Sequence, residues 1–582
     1  MRGPVAVPQA LPLARHFDNR GVSDDADPAA ADFDGAGNSF SAQDLRAAGW
    51  TPGRTLDLDG APLRAPRAAP GAPDNVRADG QHVALRGTGG PLSFLVAASS
   101  PSGAAREATG HGTVHYSDGS TARYTLTAGD WRGGPLATKA VALPHRNTPA
   151  GQRTERTRLY AVTVPVPVRE GAEVRSVQLP ADPGPDADLH VFDAAWHSGT
   201  SGWTGTWATS TGGYRAVGPW KDRTLRLVVH ASAGGTTARV RLANTFAAAP
   251  VEIAAASVAV RRSGAQAVSA PVPLSFGERP GVRIPAGARA VSDPVDFTVP
   301  AGGDLLVSLH LPGTVTAAPV NTFAMQRSYA SADGAGDLTR ATGATGYRAE
   351  LTSWPFLTGV DVAGGPGSVV TLGDSITAGE DSTVGANRRW PDVLAERLRA
   401  GGVSGVPAYG VLNHGISANR IVTDRYPGDG VSNDAGGVSA QHRLERDVLA
   451  QPGVRTVVLF EGVNDLRAGT SAQDVIAGMR AIAERSRARG LRVVGATVSP
   501  CGGWPDCTAA MDRERRTVNA FVRDNGGVFD AVLDFDAVLR DPAAPHRLLP
   551  AYDSGDHLHP GDAGLRAVAH SVDLRLLVPP GR

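Results

Sequence analysis

Residues 369–379 read Val-Val-Thr-Leu-Gly-Asp-Ser-Ile-Thr-Ala-Gly. The run begins with apolar and β-branched residues, which is typical of a buried strand in a parallel sheet. Small residues then surround Ser375, so the backbone can turn sharply where the strand ends. Open α/β sheets place their chemistry at this end of their strands. Ser375 is therefore either a nucleophile or the cap of the helix that follows.

Similar apolar runs recur after this stretch, and helical patterns lie between them. The runs are Val457–Phe460, Val493–Val498 and Ala531–Asp534, and the helical patterns include Pro391–Ala400 and Ala472–Arg489. Alternation of strands and helices predicts a three-layer α/β/α domain with a parallel sheet. We place this domain at residues 363–582.

The chain before residue 363 consists of short alternating runs separated by turns, which predicts two all-β sandwich domains. Residues 1–16 read as a loose leader, 17–195 as the first sandwich and 196–362 as a second, jelly-roll-like one. In the second, the alternating runs Thr224–His230 and Ala238–Leu242 flank a Gly-Gly pair. This pattern predicts a β-hairpin.

The overall charge argues against some classes of partner. Of 582 residues, 57 are Lys or Arg and 57 are Asp or Glu, so there is no basic excess for nucleic acid. No apolar run reaches about 18 residues, so we expect no membrane-spanning helix. The acidic residues match no calcium-loop spacing. We expect neither a metal nor a cofactor.

The N-terminus and the cysteines bear on localisation. The first 14 residues contain one basic residue and a short apolar part broken by prolines, which is a poor signal peptide. Another export route, a misplaced start or retention inside the cell remain alternatives. Cys501 and Cys507 cannot complete a four-ligand zinc site alone, whereas pairing across the Gly-Gly-Trp-Pro loop is easy. We expect a disulfide, hence an oxidising compartment and a secreted protein.

Four blocks with chemically capable residues follow predicted strands or precede a helix. They are Gly373–Ser375, Val411–Arg420, Glu461–Asp465 and Ser554–Pro560. In order, spacing and position they resemble the blocks of the SGNH (GDSL-type) hydrolase superfamily. The phrases Asn387–Pro391 and Ala551–Asp556 resemble its secreted multidomain actinobacterial branch.

The resemblance implies a catalytic triad. Ser375 would be the nucleophile and His559 its base, because a serine hydroxyl needs an adjacent base to react. Asp556, three residues before His559, would hold the imidazole in one tautomer and stabilise its protonated form. The neighbouring His557 has no role in this assignment.

The resemblance also implies three oxyanion donors: the backbone N–H groups of Ser375 and Ala418, and the side-chain amide of Asn464. Ala418 stands where the family usually has glycine, and Gly415 is interpreted as a turn residue only. A positive φ at Ala418 would cost about 1 kcal/mol. Two aromatic residues, Trp504 and Tyr552, are candidates for the substrate pocket.

Phrases in the first sandwich resemble a module appended to actinobacterial glycoside hydrolases and often described as sugar-binding. They include Asn19–Asp25, Asn38–Ala42, Pro73–Val76 and Tyr116–Ser120. The resemblance implies that residues 17–195 bind a polysaccharide. The alternative is a sandwich that serves only as a spacer.

Together, the patterns and the resemblance predict a serine carboxylic ester hydrolase that removes acetyl or other short acyl groups from carbohydrate esters. One alternative is a lipase or thioesterase of the same fold that acts on longer acyl chains. Another is a carbohydrate-binding protein with a weakly active hydrolase domain. The presence of all four blocks argues against the last.

Overall fold

The computed structural model describes residues 9–67, 69–198, 202–434 and 436–580. The chain folds into two compact units. The first comprises Met1–Gly199 with Phe246–Pro250 and Pro285–Arg289; the second comprises Thr200–Thr245, Val251–Ile284 and Ala290–Arg582. Of the predicted leader, residues 1–8 lie outside the described residues, and Leu13–Arg15 form a 3₁₀ turn.

Over the residues that the structure describes, the N-terminal part is built from strands, with one short α-helix, α1 (Ala42–Ala47). Its strands are β1 (Val22–Ser23), β2 (Ser39–Ser41), β3 (Thr55–Leu58), β4 (Ala61–Arg64), β5 (Val76–Arg77), β6 (His82–Val83), β7 (Gly90–Ser99), β8 (Ala108–Tyr116), β9 (Thr121–Ala128), β10 (Lys139–Leu143), β11 (Arg146–Thr148), β12 (Gly151–Arg153), β13 (Thr157–Val166), β14 (Val174–Gln178) and β15 (Asp188–Trp196). Sheets β10-β13-β7-β15-β5 and β6-β14-β8-β9 bury a shared apolar core that includes Phe94, Leu126 and Leu189. A third sheet has the order β1-β2-β11-β12.

The part of the chain between residues 203 and 363 is also made of strands. They are β16 (Trp203–Ala208), β17 (Gly213–His230), β18 (Gly235–Ala243), β19 (Val251–Ile253), β20 (Ala255–Ser263), β21 (Gln266–Ala267), β22 (Val272–Leu274), β23 (Val282–Ile284), β24 (Arg289–Val291), β25 (Val295–Val299), β26 (Asp304–Asn321), β27 (Ser328–Ser331), β28 (Tyr347–Leu351), β29 (Trp354–Pro355) and β30 (Leu357–Ala363). One sheet contains β21-β20-β26-β17-β27-β28, and a second contains β16-β30-β18.

The predicted hairpin around Gly234-Gly235 is wrong. Both strands form, but β17 pairs antiparallel with β26, and β18 pairs with β30 in the other sheet. The glycine pair therefore carries the chain from one sheet to the other. Gly235 is needed there because a Cβ at this position would lie 2.8 Å from the Cβ of Val362.

The C-terminal part alternates strands and helices as predicted. Its strands are β31 (Ser368–Gly373), β32 (Gly410–Gly415), β33 (Val454–Phe460), β34 (Arg492–Ala496), β35 (Ala531–Leu533), β36 (Arg540–Asp541) and β37 (Ala544–Leu548). Its α-helices are α2 (Ser375–Ala378), α3 (Trp390–Ala400), α4 (Ala440–Leu444), α5 (Val463–Arg467), α6 (Ala472–Ala488), α7 (Ala509–Asp524), α8 (Phe535–Leu539) and α9 (Asp562–Ser571), and a π-turn spans Glu445–Leu449. No described helix is both long and apolar enough to cross a membrane.

The central sheet is parallel, in the order β32-β31-β33-β34-β35, and both of its faces are buried. Successive residues of a strand point to opposite faces. Val457 and Leu459 accordingly pack into one apolar core with α6 and α7, whereas Val458 and Phe460 pack into the other with α3 and α9. The predicted order, all-β regions followed by a layered α/β domain, is confirmed.

The β region of the second unit hydrogen-bonds directly to the α/β region. The Asn321 amide donates to the carbonyl of Gly415 at 3.3 Å, and the Ser368 hydroxyl donates to the carbonyl of Gly205 at 3.1 Å. The imidazole Nδ1 of buried His414 lies 2.9 Å from the Ser210 hydroxyl, and burial lowers the pKa of His414 to about 3. The predicted domain limits at residues 195 and 362 stay predictions.

Candidate active site

Ser375 lies where β31 ends and α2 begins. The helix is capped by Asp374, whose Oδ1 accepts a hydrogen bond from the N–H of Ile376 at 3.0 Å. Ser375 is therefore not the cap, and its hydroxyl is available for another partner. Gly373 allows this tight turn, because a Cβ there would lie 2.2 Å from Thr377 Oγ1 and 2.4 Å from the Phe460 carbonyl. Burial raises the pKa of Asp374 to about 7, although the Ile376 N–H opposes the rise.

Three of the predicted site residues form a continuous chain of hydrogen bonds. Ser375 Oγ lies 2.8 Å from His559 Nε2, and His559 Nδ1 lies 2.6 Å from Asp556 Oδ2. An ionised carboxylate only accepts, so Nδ1 carries the proton, and Nε2 accepts from the serine hydroxyl. Ser375 and His559 are 4% and 6% exposed, which keeps this chain partly shielded from water.

The segment before α9 holds Asp556 and His559 in register. Asp556 Oδ1 accepts from the backbone N–H groups of Leu558 and His559, each at 2.8 Å. Burial alone would raise the pKa of Asp556, but these two N–H groups and the imidazole outweigh it and lower the pKa below its usual value. His557 is exposed and lies 2.6 Å from Asp553, so it takes no part in the chain.

The second block forms the turn after β32, and Ala418 in it has a φ of +60°. This is the left-handed region, which costs an alanine about 1–2 kcal/mol. The turn is held by Asn419, whose side-chain amide donates to the carbonyls of Gly436 and Val438. Gly415 has a packing role, because a Cβ there would lie 2.1 Å from the backbone nitrogen of Ala378.

The Asn464 amide, at the start of α5, has a defined orientation. The Arg467 guanidinium, which can only donate, lies 2.9 Å from Asn464 Oδ1. The NH₂ group therefore faces the other way, where it donates to the carbonyl of Asn419 at 3.1 Å. One of its two hydrogens remains for a further acceptor, and the bond to Asn419 brings the amide beside the Ala418 turn.

The side chain of one buried arginine, Arg443, contacts residues of the first three blocks. Arg443 donates to the carbonyls of Gly373 at 2.9 Å and His414 at 2.7 Å, and to the side-chain oxygen of Asn419 at 2.8 Å. Its guanidinium also lies 3.6 Å from Glu461. Burial raises the pKa of Glu461 well above its usual value, and the Arg443 charge opposes the rise. Sequence reasoning missed Arg443, because its partners are distant in the chain.

Of the two pocket candidates, Trp504 is the one in contact with the chain of hydrogen bonds. Its ring lies edge-on to His559, with the centroids 6.2 Å apart, and the Arg467 guanidinium lies 4.9 Å from its centroid. Cys501 and Cys507 form a disulfide that closes the loop carrying Trp504. Tyr552 instead packs, partly buried, against the apolar core between the sheet, α3 and α9.

Two further carboxylates lie near the imidazole, and the sequence interpretation gave neither of them a catalytic or binding role. Glu380 Oε2 is 3.8 Å from His559 Nε2, and Asp381 Oδ2 is 3.8 Å from Nδ1. The signal was their position directly after the Ser375 turn. Asp381, Asp556 and His559 place one ligand atom each within 4.8 Å of one another. His559 Nδ1 and Asp556 Oδ2 already hydrogen-bond to each other, and a cation at this place would compete for these atoms as ligands.

Two family models match separate parts of the chain. Residues 371–567 match the model of the GDSL-like lipase/acylhydrolase family, and residues 8–198 match that of the AziU2-like β-sandwich domain. No curated protein matches the chain.

Solved structures similar to the chain include three esterases or lipases. A GDSL-like lipase from Bacteroides thetaiotaomicron is 18% identical, over 36% of this chain and 87% of its own, with a TM-score of 0.27. An aryl esterase from Mycobacterium smegmatis is 18% identical, over 36% and 99%, with a TM-score of 0.27. A mutant acetyl-xylooligosaccharide esterase from Geobacillus is 20% identical, over 36% and 93%, with a TM-score of 0.27. The family-model match identifies residues 371–567 as a GDSL-like lipase/acylhydrolase domain, which supports a carboxylic ester hydrolase.

Proposed function

We propose that the chain removes acetyl or other short acyl groups from carbohydrate esters through an acyl-enzyme on Ser375. The observation that carries this proposal is the hydrogen-bond chain from Ser375 through His559 to Asp556, at 2.8 and 2.6 Å. These separations suit proton transfer between heavy atoms. The carboxylates and hydroxyls around the imidazole support a polar alcohol over a lipid one.

The proposed reaction has two halves. Ser375 Oγ attacks the ester carbonyl as His559 Nε2 takes its proton, and the resulting oxyanion is held by N–H donors. The C–O bond to the alcohol then breaks, and His559 returns the proton to the leaving oxygen. Water next attacks the acyl group with His559 again as base, which releases the acid and restores the Ser375 hydroxyl.

We assign the oxyanion donors to the N–H groups of Ser375 and Ala418 and to the Asn464 amide. The Asn464→Ala variant is expected to lower kcat about 10²–10³-fold with a much smaller change in KM. The amide would stabilise the negative charge that develops on the oxygen in the transition state, and not the bound substrate. Steady-state kinetics with p-nitrophenyl acetate measure both constants. A loss expressed in KM alone would show that the amide binds substrate rather than the oxyanion.

The Ala418→Gly variant is expected to keep kcat or to raise it, because glycine adopts a φ of +60° without strain. The relief of about 1–2 kcal/mol is offset in part by the greater freedom of glycine in the unfolded chain. Thermal unfolding and p-nitrophenyl acetate kinetics check both effects. A large fall in kcat with an intact fold would mean that a different backbone amide serves the oxyanion.

A substrate panel tests the acyl-chain part of the proposal. Wild-type protein is expected to hydrolyse p-nitrophenyl acetate faster than the butyrate, and both far faster than the palmitate, and to release acetate from acetylated xylan. Preference for palmitate would favour the lipase or thioesterase alternative. Turnover of none of these esters would favour the alternative of a binding protein with a weak hydrolase domain.

In this proposal the first sandwich, residues 17–195, binds the polysaccharide, and the protein acts outside the cell. The disulfide between Cys501 and Cys507 supports an oxidising compartment. Retention of the full-length protein on insoluble xylan or cellulose tests the first part. Equal elution from these and from an uncharged non-carbohydrate resin would favour the spacer alternative.

A further inference from the structure

Among the described residues, Glu380 has the carboxylate nearest to Nε2, the reacting nitrogen of the imidazole. Its Oε2 lies 3.8 Å from His559 Nε2, which is the nitrogen that faces Ser375. Asp556 and Asp381 lie instead near Nδ1, at 2.6 and 3.8 Å. Glu380 therefore lies on the Ser375 side of the imidazole, whereas Asp381 lies on the far side of the ring.

The position of the Glu380 carboxylate is held from both sides. Ser417, next to Ala418, donates its hydroxyl hydrogen to Oε2 at 2.7 Å, and the backbone N–H of Glu380 donates to the Ser375 carbonyl at 3.0 Å. Three residues on, Thr383 is bonded to Asp562 at the start of α9. A carboxylate has about four acceptor positions, so the bond from Ser417 leaves capacity for another donor.

The substrate can reach this carboxylate. The Glu380 side chain is 22% exposed, whereas that of His559 is 8% exposed. In the proposed reaction the leaving alcohol oxygen must lie within hydrogen-bond distance of Nε2, because it receives the proton from that atom. A carboxylate oxygen 3.8 Å from the same nitrogen is then close to groups on the carbons beside that oxygen.

We propose that Glu380 selects the alcohol half of the substrate by accepting a hydrogen bond from a hydroxyl on the carbon next to the ester-bearing carbon. A vicinal diol, as in a sugar ring, presents such a hydroxyl. The inference rests on the proposed function. An anionic group at the same place would be repelled by the carboxylate, so esters of hydroxy acids are expected to be poor substrates.

The test compares 2-hydroxyethyl acetate with ethyl acetate, which differ by one hydroxyl at that place. Hydrolysis is followed by titration of the released acetic acid. In the wild-type protein kcat/KM is expected to be about tenfold or more higher for the hydroxylated ester, as a hydrogen bond to a charged group would give. The ratio within one protein cancels any change in the reactivity of Ser375 and His559.

The Glu380→Ala variant is expected to bring this ratio close to one. The matched control, Asp381→Ala, removes an equal charge at the same distance from the ring and is expected to keep the wild-type ratio. If Glu380→Ala does not fold, Glu380→Gln replaces it, with an expected fall of at least about threefold in the ratio because the acceptor loses its charge.

Three results would overturn the inference while the proposed function stands. They are a wild-type ratio near one, an unchanged ratio in the Glu380 variant, and an equal fall in the Asp381 variant, each with p-nitrophenyl acetate still hydrolysed. If the wild-type protein hydrolyses neither p-nitrophenyl acetate nor the two alkyl acetates, the proposed function fails, and the inference falls with it.

Discussion

Replacing Ser375 with alanine is expected to lower kcat for p-nitrophenyl acetate by about 10⁴-fold or more, because no other atom can form the acyl-enzyme. The fold should survive, since Asp374 and not Ser375 caps α2. Circular dichroism and a thermal melt check the fold, and an end-point assay at high enzyme concentration measures the residual rate.

The matched control for this prediction is Ser382→Ala. Ser382 is a buried serine seven residues further on, and its hydroxyl has no hydrogen-bond partner among the described residues. Its replacement is expected to leave kcat near the wild-type value. Wild-type turnover by the Ser375→Ala variant would show that Ser375 is not the nucleophile.

Replacing Asp556 with asparagine is expected to lower kcat about 10⁴-fold. Oδ1 already accepts from the N–H groups of Leu558 and His559, so the asparagine oxygen stays there and its NH₂ turns toward His559 Nδ1. Nδ1 must then accept, which places the imidazole proton on Nε2. In that tautomer the ring cannot take the proton of Ser375.

The measurement is the pH profile of kcat/KM for the Asp556→Asn and Asp556→Ala variants. The alanine variant leaves the tautomer free, so it is expected to retain more activity than the asparagine variant despite the larger change in structure. Equal activity of the two variants would contradict the role of Asp556 in fixing the tautomer.

The folded-state pKa of Asp556 lies below its usual value. The ionised carboxylate therefore contributes to the free energy of unfolding, and this contribution is lost as the pH falls through that pKa.

Local pattern was sufficient for four sheet strands and for two long helices, α3 and α6, of the α/β domain, but not for all pairings in the β region. β-branched apolar runs identified β31, β33, β34 and β35, because strands buried on both faces leave a continuous apolar signal. The alternation of β17 and β18 indicated strands equally well. It does not specify partners, which depend on β26 and β30, many residues away along the chain.

In the candidate site too, the sequence identified some residues, whereas others became apparent only in the folded structure. Ser375, Asp556 and His559 were found because each lies in a block whose order and spacing carry a resemblance. The glycine usual at the position of Ala418 raised a positive φ only as a possibility, since an alanine itself signals no preference for it. Glu380 lies near His559, which is far along the chain, so only the folded structure relates the two residues.

Covalent labelling with diethyl p-nitrophenyl phosphate, followed by intact and peptide mass measurement, tests the central claim most directly. This reagent transfers its phosphoryl group to an activated serine and releases p-nitrophenolate. The account predicts one diethylphosphoryl group per chain, on the peptide that contains Ser375, with loss of esterase activity in proportion, and no label on Ser375→Ala. Stoichiometric inactivation with the group on any other residue would contradict it.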